Sequence, residues 1–333
     1  MSAQATQTPA APRLAGRLIF GALALIALLV WPLLVENVFY QRVGALVMLA
    51  ALSASAWNLV GGYAGQISIG HVLYFGCGAY ASLLGFTWFE WAPILGAPFG
   101  IALSLLLAVI VGTPTLRLKG HYFSMATIAL AELARIIVTN SPVLGGGVGV
   151  SGPALPRSMA DLSFISPLPY YYIFGAVLAV LLAFTWWMNL GRMGFYLRAI
   201  RGQERAARSL GVPAQCYKLY ALLVSAGFTS LTGSLYATMV GFVDPDSGFG
   251  ILLSVKMVIA AALGGAGTLF GPLVGAAILV PLEEVTNAMF GGDGTGITYV
   301  VYGAIIVFIS RFAPGGLAEV LSRFQAWRAR RAN

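Results

Sequence analysis

Charge is what this sequence has least of: across 333 residues, Asp, Glu, Lys and Arg together make up 9 %. A soluble domain carries about 25 %, and a water-facing surface needs roughly that density to stay dissolved. The shortage excludes a soluble enzyme, a nucleic-acid-binding domain and a disordered chain. Histidine and cysteine are also scarce, at two residues each. Neither a metal cluster nor a disulfide framework follows from Cys77 and Cys216, which fall in an expected span and an expected loop. There is no G-x-x-x-x-G-K-[ST] phosphate loop, no nucleophile elbow, no H-E-x-x-H and no carboxylate pair in a hydrophilic setting. No catalytic constellation is present, and any ATP chemistry belongs to another chain.

What the chain has in abundance is apolar sequence, 59 % of residues, with a mean hydropathy of +0.86. Its 41 glycines and 16 prolines would break up a soluble helical protein. In membrane helices both are more common, and small residues let backbones approach closely. A bilayer-spanning helix takes roughly 20 apolar residues. On that basis ten spans are expected, at 17–36, 38–60, 70–90, 92–113, 121–139, 167–189, 217–242, 250–266, 269–289 and 297–312. The expected fold class is an all-α polytopic membrane protein with about ten transmembrane helices. Residues 1–17 are polar and Leu18 to Val35 nearly unbroken apolar, without the short apolar core and small-residue cleavage site of a signal peptide. This segment is expected to remain as the first span.

The net charge of +8 would suit nucleic acid if it were spread over one surface. Instead the basic residues cluster in short loops on alternate sides of the expected spans. Fifteen lie on the side of the N-terminus, two (Arg42 and Arg157) on the other, and Arg135 and Lys256 fall within spans. Lys/Arg bias in short loops sets orientation, so both termini are expected in the cytoplasm. The expected organisation is a tail at 1–16, one membrane domain at 17–312 and a basic tail at 313–333. Within the membrane domain, an external loop occupies 140–166 and an internal basic loop occupies 190–217.

The internal loop is the most specific feature. Gln203 to Leu210 has good helix propensity, Gly211 suits a left-handed C-terminal cap and Pro213 stops the helix. Arg205 and Arg208 share one face, while Ala206 and Ala207 offer a small surface that a partner's cleft can approach. A basic loop lying on anionic lipid headgroups would also explain the arginines, but not the order Glu204, two alanines, then a glycine. Four polar residues, Asn58, Gln66, Ser68 and His71, surround a Gly-rich break at Gly61–Gly65. They fit either the wall of a substrate pathway or a packed, hydrogen-bonded kink. Lys256 and the pair Glu283–Glu284 are opposite charges in adjacent spans, and Glu132 and Arg135 are three apart in one. Unpaired charge is costly in hydrocarbon, so pairing is expected, with a proton relay as the functional alternative. Gly267, Gly271 and Gly275, at intervals of four, are expected to form one smooth helix face. Gly264–Gly267 is a second Gly-rich stretch like the first. Tyr170–Tyr172 and Trp186–Trp187 suit interfacial belts.

Glu204, Ala206, Ala207 and Gly211 resemble the Glu-Ala-Ala…Gly coupling loop of ABC-importer permeases, with Arg205 inserted after the Glu. Trp57 to His71 (WNLVGGYAGQISIGH), Gly120 to Thr127 (GHYFSMAT) and Leu263 to Pro272 (LGGAGTLFGP) are similar to blocks of branched-chain amino acid permeases, in the order of the M-type subunit. The resemblance implies an ABC-importer permease architecture in a bacterial cytoplasmic (inner) membrane. It implies a second, H-type permease, two cytoplasmic ATPases holding ATP and Mg, and a periplasmic binding protein as partners. Lipid is then the surrounding medium, nucleic acid is no partner, and no cofactor is carried here. The function the resemblance implies is import of branched-chain or related small amino acids by alternating access, coupled to ATPase closure through Glu204–Gly211; relatives of this family carry urea, short amides or other small acids, which are the alternative substrates. A stand-alone ion-coupled transporter using Lys256 and the glutamates is the alternative of a different class.

Overall fold

The computed structural model describes residues 37–118, 120–152 and 164–290, with isolated positions at 32, 300, 303 and 304. Within them the chain is helical throughout, apart from one minimal sheet. Helix α1, Val38–Asn58, opens on Asn37, whose side chain accepts from Phe39 N at 2.9 Å. It runs without interruption into a π-helical turn, Leu59–Tyr63. There the Trp57 ring lies directly over Gly61, where an added Cβ would meet it at 2.2 Å. Beyond the break come α2 (Val72–Phe89), α3 (Pro93–Thr115) and α4 (His121–Thr139). Helix α5 is Pro167–Leu190, α6 is Arg192–Ser209 and α7 is Ala214–Val240. A short turn of helix, α8 (Pro245–Phe249), is fixed by a capping box between Asp244 and Ser247. It leads into α9 (Ile251–Gly264), and α10 (Gly271–Phe290) returns alongside it.

Among the described residues, seven helical segments are long and apolar enough to cross a membrane: Val38–Tyr63, Val72–Phe89, Ile94–Thr115, His121–Thr139, Pro167–Leu190, Ala214–Val240 and Pro245–Gly264. They coincide with seven of the expected spans, and α10 occupies the expected span at 269–289. Helix α9 alone rises about 21 Å, short of a hydrocarbon core of ~30 Å, so α8 makes up part of the length. The expected spans at 17–36 and 297–312 lie outside the described residues but for the isolated positions, as do the tails at 1–16 and 313–333.

Helix α1 lies at the centre, packed against α5, α7, α9 and α10, while α2, α3 and α7 form the second layer. Small residues set these distances. A Cβ on Gly78 of α2 would sit 1.9 Å from Ser230 O of α7, and one on Gly233 of α7 would sit 2.0 Å from Phe75 O. Neither site has room for a methyl group, so glycine there is what lets the backbones touch. At the end of the bundle where α7 finishes, β1 (Val150–Ser151) pairs antiparallel with β2 (Phe242–Val243), Val150 opposite Val243.

Three expectations need correction here. The stretch 190–217 is not a loop with one short helix. It is helical from Arg192 to Ser209, with a kink at Gln203 (φ −157°, ψ 99°). Gly194, Leu197 and Ile200 give the first half a buried stripe, a helical periodicity that the basic residues around it obscure. Tyr170 and Tyr171 are buried instead of interfacial: the Tyr170 hydroxyl accepts from Phe164 N at 2.9 Å and donates to Thr238 O at 3.2 Å. Trp186 and Trp187 are exposed, as an interfacial pair requires. Finally, Gly267 lies in the turn before α10 with φ +83°, not on its face. The close approach is made by Gly271 and Gly275 against α9, where a Cβ on Gly275 would lie 1.8 Å from Ala260 O.

Candidate functional site

The capped helix expected at the Glu204 motif is the second half of α6. Its C-terminus carries the paired bonds of a Schellman cap, with Gly211 N donating to Arg208 O at 2.9 Å and Val212 N to Ala207 O at 3.1 Å. Gly211 has φ +84°, which glycine adopts without the Cβ clash other residues suffer. Arg205, Ala206 and Ser209 are exposed. Ala207 is only 4 % exposed, because it packs against Ile200 and Ala214. The expectation that both alanines face a partner is therefore corrected: Ala206 faces outward and Ala207 holds the helix to its own fold.

Glu204 also points inward. One carboxylate oxygen accepts from Lys218 Nζ at 2.6 Å and the other from Arg208. Lys218 begins the second turn of α7 and its side chain is 1 % exposed. A lysine so buried must have its charge matched, so Glu204 is the clamp between α6 and α7. Sequence inspection did not pair these two, because nothing in the spacing of fourteen residues shows that α7 folds back along α6.

The two Gly-rich stretches, similar in sequence, meet in space. Asn58, at the end of α1, donates through Nδ2 to Thr268 O (2.9 Å) and accepts through Oδ1 from Gly267 N (2.8 Å). A Cβ on Gly62 would lie 2.4 Å from Gly267 N. Arg201 reaches the same junction from α6: its Nη1 donates to Gly62 O at 2.6 Å and lies 3.5 Å from Ala266 O. Neither Arg201 nor Thr268 was nominated from the sequence, where one is a member of a basic run and the other an ordinary loop threonine.

The other polar residues near the break are mostly used within the fold. His71 is fully buried, with Nε2 2.8 Å from Ser225 Oγ. Because Ser225 spends its own hydrogen on Ala56 O at 2.6 Å, the histidine is the donor and its proton sits on Nε2. Gln66 is half-buried and its backbone N–H donates to Val60 O at 3.0 Å. Ser68 accepts the Trp57 indole N–H on its carbonyl at 2.6 Å. It lines a cavity, with room for about one water, that also touches Tyr74, Phe123 and Thr127. No group of three His, Cys, Asp or Glu capable of holding a metal occurs among the described residues.

Lys256, Glu283, Glu132 and Arg135 all take part in ion pairs. Lys256 Nζ lies 2.5 Å from Glu283 Oε1, across the α9–α10 contact. Glu284 is half-buried beside Glu283. Arg135 holds Glu132 through Nη2 at 2.5 Å and through Nε, and reaches Asp246 Oδ1 at 2.8 Å. Asp246, on α8, is a partner the sequence reading did not name, because it enters only through the tertiary fold.

Apolar helices long enough to cross a membrane, packed around a central helix whose break is tied down by side chain-to-backbone bonds, are the architecture of a multi-pass helical membrane protein. Residues 40–310 match the family described as branched-chain amino acid transport system, permease component, and the chain belongs to that family. It is a permease subunit of the ABC-importer type. It is 29 % identical to the high-affinity branched-chain amino acid transport system permease protein LivM of Escherichia coli (strain K12), over 80 % of this chain and 69 % of that one. The LivM protein of Salmonella typhimurium is 28 % identical with the same coverage. The autoinducer 2 import system permease protein LsrC of Yersinia pestis is 27 % identical over 56 % of this chain and 54 % of its own. Among solved structures, PsaBC from Streptococcus pneumoniae in complex with Fab is 18 % identical with a TM-score of 0.46, covering 86 % and 96 % of the two chains.

Proposed function

We propose that the chain is the M-type permease of an ATP-driven, binding-protein-dependent importer for branched-chain or related small amino acids, in a bacterial cytoplasmic membrane. In this reading about ten spans leave both termini inside. A second, H-type permease completes the pathway, two cytoplasmic ATPases carry the ATP and Mg, and a periplasmic protein delivers the substrate. The observation that carries the reading is the second half of α6: a short helix, capped at Gly211, that offers Arg205, Ala206 and Ser209 outward. A small residue between polar ones on a rigid, capped helix is what a cleft in another protein can enclose. Closure of the ATPases then pushes α6, and the Glu204–Lys218 clamp passes the push to α7. Gln66 faces the pathway, while Asn58, Ser68 and His71 brace its wall. LivM similarity supports the branched-chain assignment over urea, short amides or other small acids.

The test is a pair of tryptophan substitutions. Ala206→Trp should leave the permease inserted and folded but sharply reduce co-purification of the ATPases and abolish uptake of radiolabelled leucine. Ala207→Trp should lower the amount of folded permease itself, because the site is filled. Normal uptake and full ATPase retention in Ala206→Trp would refute the docking assignment. Uptake by the chain alone, driven by a proton or sodium gradient, would favour an ion-coupled transporter using Lys256 and Glu283.

A further inference from the structure

The guanidinium of Arg201 stands where three separate elements meet: the kinked helix α6, the π-helical break after α1 and the turn joining α9 to α10. Its Nη1 donates to Gly62 O at 2.6 Å, a carbonyl freed by the break, and lies 3.5 Å from Ala266 O in the turn. The arginine stem runs along Gly65, where an added Cβ would touch Cγ at 3.0 Å, and the head lies over Gly267, where one would meet Nη1 at 2.1 Å. Both neighbours are glycines at positive φ, +69° and +83°. Two backbone bends thus leave a slot that the side chain fills. Asn58 ties the same two segments to each other, through Thr268 O and Gly267 N.

We propose that Arg201 is the positioning residue that carries movement of α6 to both helix breaks together. The proposal rests on the reading of α6 as the ATPase-driven element. Arg201 is the last residue but one before the kink at Gln203. Glu204, just beyond it, is clamped to α7. A displacement of α6 is thereby divided at the kink: one half pulls on α7, and the other pulls on α1 and the α9–α10 turn through one guanidinium. Because Asn58 keeps Gly62 and Gly267 in register, the two breaks respond as a unit. An arginine suits this task because its planar head places Nη1 in a fixed position between carbonyls of two segments. A lysine ammonium also has several donors, but it sits on a flexible stem without the planar head that fills the slot between Gly65 and Gly267.

The experiment is hydrogen exchange with mass spectrometry on the complex co-purified with its ATPases in nanodiscs, with and without ATP and vanadate. The variants are Arg201→Ala and Arg201→Lys. In the unaltered complex, trapping should change exchange in three segments together: 192–209, 59–67 and 264–271. In Arg201→Ala, segment 192–209 should still respond, while 59–67 and 264–271 should exchange faster by roughly tenfold to a hundredfold, as loss of a charge-assisted bond produces, and no longer respond to trapping. Arg201→Lys should restore part of that response. A full response of both breaks in Arg201→Ala overturns the proposal, as does its absence at the breaks in the unaltered complex. A purely structural role would raise exchange without removing the response, and is likewise an overturning result. If 192–209 itself is indifferent to ATPases and nucleotide, the failure lies in the reading of α6 as the driven element, and the proposal falls with it.

Discussion

Removing the partner of a buried lysine tests the fold at its most exposed assumption. Lys218 is 1 % accessible at its side chain and Glu204 is 17 % accessible, with Nζ and Oε2 2.6 Å apart. Stranding one member of a buried ion pair costs about 3–5 kcal/mol, whereas replacing both by apolar or neutral groups is often close to neutral. The two members are not equivalent. Glu204→Gln leaves Lys218 charged and enclosed, and should come near the upper end of that range. Lys218→Met leaves Glu204 with Arg208, whose side chain is 44 % accessible, so its loss should be nearer ~2 kcal/mol, as a carboxylate with a surface partner and some solvent implies. The double variant should lie within ~1 kcal/mol of the unaltered protein in stability, so that the two single losses are non-additive by ~6 kcal/mol. The assay is thermal unfolding in detergent read by size-exclusion chromatography, with the four proteins compared at one lipid and salt concentration. Additive losses, or Lys218→Met more harmful than Glu204→Gln, would refute the argument that burial of Lys218 is what makes Glu204 necessary.

Further outcomes follow from the same structure. Lys256→Met should reduce the folded yield, and adding Glu283→Gln should recover much of it while adding Glu284→Gln should not, since Glu283 is the carboxylate in contact with the amine; equal rescue by both would remove the pairing argument. Gly275→Val should force α9 and α10 apart, because even a Cβ would sit 1.8 Å from Ala260 O, and should cost at least the 1–3 kcal/mol typical of overpacking, seen as lower thermal stability. A stability equal to the parent would show that the contact relaxes. For orientation, cysteines placed at the exposed positions Ser209 and Ser151, in a Cys216→Ser background, should label from opposite sides of the membrane. Only Ser151 should react with an impermeant reagent added outside, and reversed labelling would invert the proposed topology.

Sequence alone determined the class of molecule and the main helices, for a simple reason. In hydrocarbon every backbone group must be satisfied within its own helix, so long apolar runs announce themselves without reference to neighbours. The cap at Gly211 was legible on the same local grounds: its φ of +84° is a property of one residue and the helix it ends. Family membership was legible from blocks such as Trp57–His71, which keep their order regardless of how they pack. Apart from Lys256 with Glu283, opposite charges in adjacent spans, which residues pair across the fold was not. Glu204 with Lys218, Arg135 with Asp246, Asn58 with Gly267 and Arg201 with Gly62 join residues 14, 111, 209 and 139 positions apart. Ala206 and Ala207 show the distinction most plainly. They are identical in chemistry and adjacent in sequence, but a helix turns about 100° per residue. The packing of Ile200 and Ala214 then decides which of the two is buried. Local physics fixes where a helix begins and ends; only the neighbours it packs against fix which face is free.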